Sequence, residues 1–150
     1  MELDLITINP NEGLGSLKFG MTRQEVKKLV GEPDEIEKSF YASDNGDAVD
    51  IWHYDKHDFS IIFNKDPKSK LEYIASSSHE LVIWDSKLIN KSFEEVLEFI
   101  SQNKCGEYEI ETFSEDGEDF TLLFFPNCEV NFWFDNNILT EIQWNIMFED

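Results

Sequence analysis

Chemistry in this chain would have to come from its three histidines, its serines or its acid-rich stretches. His53 and His57 lie beside Asp55 and Asp58, side-chain types that can hold a divalent metal. An H-x-x-x-H spacing brings two imidazoles to one face only on a helix, and here it straddles a strand and its turn, so no metal is expected. His79 sits in the polar connector Ser76-Ser77-Ser78-His79-Glu80. A nucleophilic serine needs a base and a group that orients it, and neither a G-x-S-x-G elbow nor a second-histidine pattern is present. Gly13, Gly15 and Gly20 lack the G-x-G-x-x-G spacing and no Walker lysine follows, so they are expected to shape a turn rather than cradle a phosphate. The run of Glu107, Glu109, Glu111, Glu115, Asp116, Glu118 and Asp119 does not reproduce the calcium-loop spacing. The expectation is a protein that is no enzyme and needs no cofactor.

Charge narrows the partners. The net charge is −20 and is unevenly spread: residues 1–75 hold 15 acids and 9 bases, residues 76–150 hold 17 acids and 3 bases. Such a field repels phosphate backbones and anionic lipid surfaces, so neither nucleic acid nor membrane is expected as ligand. No apolar run approaches the ~20 residues of a membrane span, and Met1–Leu5 shows no basic or apolar leader pattern. Cys105 and Cys128 stand 23 apart without a C-x-x-C partner and are expected to be reduced and buried. Together these features predict a cytoplasmic protein, or else a mature form from which a leader has been trimmed. With 41% apolar residues, 13 phenylalanines among them, the chain can build a core despite its charge.

The elements that would position any site can be read from caps and periodicity. Thr22 with Glu25 and Ser92 with Glu95 form two capping boxes seventy positions apart. Behind the first, Val26, Leu29 and Val30 follow helical spacing until Gly31 and Pro33 stop the helix; behind the second, Phe93, Val96, Leu97 and Ile100 do the same. Alternating patterns predict strands near 35–42, 48–54, 58–64 and 71–77, then near 107–114, 118–125, 129–135 and 138–147, with Asn45-Gly46 as a hairpin turn. The predicted fold is α+β: two tandem units, residues 1–78 and 79–150, each a short helix packed on a four-stranded antiparallel meander, the second unit more acidic.

The stretch from Gly20-Met21-Thr22 through Val26, Leu29, Gly31 and Pro33, with Trp52-His53-Tyr54 on a later strand, resembles the pattern of the SmpA/OmlA lipoprotein family. The same small unit, used in tandem, builds β-lactamase inhibitor proteins. The resemblance implies a scaffold that presents a sheet face to a protein partner. In the alternation, Val49, Ile51, Phe59, Ile61, Phe63, Phe120, Leu122, Phe124, Val130, Phe132 and Phe134 form the expected core set. The opposite set holds Asp50, Trp52, Tyr54, Ile62, Leu123, Phe125 and Trp133. Aromatic rings mixed with acids are what interface centres use. Asp50, Trp52, Tyr54 and Trp133, together with Glu115, Asp116, Glu118 and Asp119, are the expected partner-binding residues. The expected function is a non-enzymatic binding module, an immunity-type or inhibitor protein that covers a basic partner. The alternatives are a small-ligand protein or enzyme with a pocket between the units, and an envelope assembly module.

Overall fold

A computed structural model of the 150-residue chain describes residues 3–39, 48–64, 66–102 and 106–146. Two capped helices form where expected. In α1 (Arg23–Val30) the Glu25 amide donates to Thr22 Oγ1 at 3.2 Å and the Thr22 amide donates to Glu25 Oε1 at 3.1 Å. In α2 (Phe93–Gln102) Ser92 and Glu95 exchange the equivalent pair at 3.2 and 3.3 Å. Helix α1 ends at Gly31, whose φ of 104° and ψ of −173° lie in a region open in practice to glycine alone.

The strands assemble differently from the two-unit expectation. Three two-residue strands, β1 (Ile8–Asn9), β2 (Gly13–Leu14) and β3 (Leu17–Lys18), make a small antiparallel sheet before α1. A Cβ on Gly13 would collide with the Leu17 carbonyl of the neighbouring strand, so this glycine permits the pairing. The remaining strands are β4 (Glu35–Ser39), β5 (Val49–Tyr54), β6 (Phe59–Asn64), β7 (Tyr73–Ser76), β8 (Glu109–Glu115), β9 (Glu118–Phe125), β10 (Val130–Asp135) and β11 (Ile138–Asn145). They form one eight-stranded sheet in the order β4-β5-β6-β7-β11-β10-β9-β8. The expectation of two α+β units, each with its own four-stranded sheet, is thereby corrected. Strand β7 pairs antiparallel with β11, Ser76 opposite Ile142 and Tyr73 opposite Asn145, so backbone hydrogen bonds run unbroken from one outer edge to the other. The described residues are mainly β, with two short α-helices. The Asn45-Gly46 turn, strand residues 40–42, residue 147 and Cys105 lie outside the described residues.

One face of this sheet carries the core. Phe59, Ile61, Phe63, Ile74, Leu123, Phe125, Val130, Phe132, Phe134, Ile142 and Trp144 are buried in a single cluster with Val26 of α1, Val96 and Ile100 of α2, and Ile8, Leu14 and Leu17 of the small sheet. Leu81, Ile83, Leu88 and Ile89 of the connector join the same cluster, so it continues across residue 78. Trp144 ties the layers together: its ring is fully buried and its Nε1 donates to the Gly13 carbonyl at 3.1 Å. Cys128 is disulfide-bonded, which corrects the expected reduced thiol at that position.

Replacing Trp144 by Phe removes ring volume and orphans a buried carbonyl, so Trp144→Phe is expected to cost about 2–3 kcal/mol in denaturant unfolding.

Candidate functional site

The face of the sheet turned away from the helices is the surface on which a site can be built. Directly opposed residues of an antiparallel pair share a face, so the register assigns it strand by strand. Glu109, Glu111, Phe113 and Glu115 of β8 lie opposite Phe124, Leu122, Phe120 and Glu118 of β9. Those in turn face Asn131, Trp133 and Asp135 of β10, and Trp133 faces Glu141 of β11. At the centre three rings overlap. Phe113 and Trp133 stack with centroids 5.9 Å apart, and Phe120 and Trp133 with centroids 5.6 Å apart. Beside them Glu109, Glu111, Leu122, Phe124 and Asn131 line a depression of about 160 Å³.

The electrostatics of this face are one-sided. Across β8–β11 it carries Glu109, Glu111, Glu115, Glu118, Asp135 and Glu141, and these four strands hold no Lys, Arg or His. Asn131 Oδ1 and Asp135 Oδ1 are shielded from solvent and have no hydrogen-bond partner among the described residues. The face therefore offers ring surfaces and carboxylates, the complement of a surface with apolar groups and cationic donors.

Of the residues expected to bind a partner, Trp133 lies at the centre of this face. Glu115 and Glu118 also belong to it, opposite one another where β8 and β9 meet. Asp116 and Gly117 turn that hairpin with positive φ, 52° and 82°. Asp119 is on the other face and accepts a hydrogen bond from the Ser114 hydroxyl at 2.8 Å.

Trp52 and Tyr54 are a correction. They are 2% and 3% exposed and lie beneath α1 on the core face, opposite Ile61 and Phe59. Lys27 of α1 sits over the Trp52 ring at 5.4 Å, and the Tyr54 hydroxyl donates to the Gly31 carbonyl at 2.9 Å. Burial, with help from Glu32 and Asp34, pushes the Tyr54 hydroxyl pKa up to about 12. Asp50 is corrected with them: it faces the helix side and its carboxylate is shared by Arg23 at 3.7 Å and Lys38 at 3.5 Å. Arg23 also spans the Asn64, Asp66 and Ser69 loop and covers the Phe63 ring, so this cluster fastens α1 to the sheet.

The physical cause is one residue of loop length. Both hairpins, β5–β6 and β9–β10, close with four residues between the innermost pairs, Tyr54 with Phe59 and Phe125 with Val130. A three-residue loop, as read from the sequence, would keep odd positions on one face across the hairpin; the fourth residue reverses them. Asp58 and Glu129, with φ of 57° and 52°, supply that extra residue in each loop. Ile51, Phe120, Leu122 and Phe124 accordingly leave the expected core set for the open face. Sequence reasoning missed Phe120, Leu122 and Phe124 as site residues for this reason, and it assigned Phe113 and Asn131 to neither face.

The histidines and serines have structural partners. His53 bonds Ser60 Oγ at 2.7 Å and Glu37 Oε1 at 3.0 Å, His57 lies against the Phe59 ring, and His79 meets Asn90 at 2.7 Å. Among the described residues no group of three or more His, Cys, Asp or Glu is placed to hold a metal ion, and no helix is long and apolar enough to cross a membrane.

No family model matches the chain, and no curated protein matches it. Among solved structures it is similar to a crystal structure of an extracellular protein containing an SCP domain from Bacillus anthracis str. Ames, with a TM-score of 0.52 and 14% identity. The likeness covers 85% of this chain and 43% of that one, so this chain spans under half the length of its neighbour. At that identity the likeness concerns the fold alone.

The two tryptophans separate structure from recognition. Trp52→Ala is expected to cost about 3–5 kcal/mol of stability. Trp133→Ala should cost only about 1–2 kcal/mol, by loss of ring stacking, as measured by denaturant unfolding of both variants.

Proposed function

We propose that the open face of β8–β11 is a docking surface for a basic protein, and that the chain acts by binding, as an inhibitor or immunity-type protein would, rather than by turnover. The observation that carries this reading is the stacked Phe113–Trp133–Phe120 group set among Glu109, Glu111, Glu115, Glu118, Asp135 and Glu141 with no base on the same strands. A one-sided sheet ordinarily has a polar outer face, and large rings there are worth explaining. Carboxylates would accelerate encounter with a cationic partner by steering, while the rings would hold the docked state. The disulfide at Cys128 favours an oxidising compartment, where such bonds persist, over the cytoplasm.

The test is kinetic. With a basic protein captured at stoichiometric ratio from the native source, reversing Glu109, Glu111 and Glu141 to Lys is expected to lower the association rate about tenfold or more and flatten its salt dependence. An unchanged rate and salt response would remove this face from the account.

A further inference from the structure

The two outer strands of the large sheet are protected unequally. An outer strand carries a row of backbone N–H and C=O groups without a ladder partner, and proteins blunt such rows with short strands, lysine or proline. Strand β4 has these devices: it is five residues long, it follows Pro33, and Lys38 within it pairs with Asp50. Strand β8 has none of them. It runs seven residues, all exposed, with no Pro, Lys or Arg, and among the described residues its one ladder neighbour is β9. Ile110 and Phe113 within it, and Tyr108 just before it, are 45%, 43% and 46% exposed.

We infer that β8 accepts an added strand from a basic partner, an extended segment in which Lys or Arg alternates with aliphatic residues. The inference rests on the reading of the acidic half as a docking surface and gives that partner a shape. The chemistry follows from the two faces of β8. Glu109, Glu111 and Glu115 point to the open face, so alternate residues of an added strand would stand beside carboxylates. Ile110 and Thr112 point the other way, so the intervening residues would stand beside an aliphatic side chain and a methyl group. Main-chain hydrogen bonds would supply affinity and the alternation would supply selectivity. A second copy of this chain fits poorly: antiparallel pairing of two β8 strands would gather the same three glutamates from both copies on one face, and like charges across a ladder are destabilising. The acids thus guard the edge against self-association while leaving it open to a cationic strand.

The probe is a seven-residue peptide alternating lysine and valine, titrated against the full chain, beside two versions N-methylated on the lysine amides or on the valine amides. In an antiparallel or parallel ladder only one of these two sets faces the edge. The expected result is binding at one to one, with about tenfold or greater loss for one methylated peptide and little change for the other. Equal binding of all three peptides, as charge attraction alone would give, overturns the inference. So does an absence of binding, or a β8-mediated dimer in sedimentation. Trp133→Ala keeps the two readings distinguishable: it leaves the methylation pattern intact if the edge works alone. If capture of the basic protein also survives that substitution, the open-face reading fails and the edge stands.

Discussion

The pairing of β7 with β11 is the interaction on which the rest of the structure depends. It is made by the last strand of one run of four and the last strand of the other, with Ile74 opposite Trp144 and Ser76 opposite Ile142. Because both strands are flanked by their own neighbours, the junction is the centre of the sheet and not an edge. A continuous sheet has only two faces, and both helices, the small sheet and the connector residues Leu81, Ile83, Leu88 and Ile89 pack on the same one. Among the described residues no further layer covers the second face. Its rings and carboxylates are therefore a consequence of the topology, and the surplus of aromatics that the core does not absorb ends up there.

Much of the local structure could be read from residues because the signals are local. Thr22 with Glu25 and Ser92 with Glu95 announced two helix starts, and hydrogen bonds within four residues realise them. Strand positions followed from alternation bounded by turn residues. The face assignments did not follow, since facing depends on whether three or four residues lie between paired strands, and Asp58 and Glu129 enter the left-handed region without being glycine. Trp133 lies on the face opposite the core, as the alternation predicts, whereas Trp52 and Tyr54 are reversed by that single residue. The β7–β11 pairing joins positions about seventy apart, and no spacing in the sequence encodes which of several apolar strands will be neighbours. The same is true of the hydrogen bond from Trp144 to Gly13, which links the two ends of the chain.

Charge plays two roles in this account. On the helix side it is paired and structural: Arg23 and Lys38 neutralise Asp50, and Arg23 also satisfies carbonyls of the 64–66 loop. On the open side of β8–β11 the described residues form no ion pair. Glu115 lies directly across from Glu118 at the β8–β9 turn, an arrangement that costs local stability and is retained in a segment without a compensating base. Residues selected only for solubility could be spread over every surface. Their concentration around stacked rings is what distinguishes this face from a generic acidic exterior.

Native-state hydrogen exchange, resolved by residue, addresses the central junction most directly. A single sheet with one core predicts that the ladder amides of Ile74, Ala75, Ile142, Gln143 and Trp144 that face across β7–β11 belong to the slowest class and exchange only through global unfolding. Exchange of those amides through a lower-energy opening, with the two runs of four strands unfolding in separate steps, would contradict the continuous sheet and everything derived from its two faces.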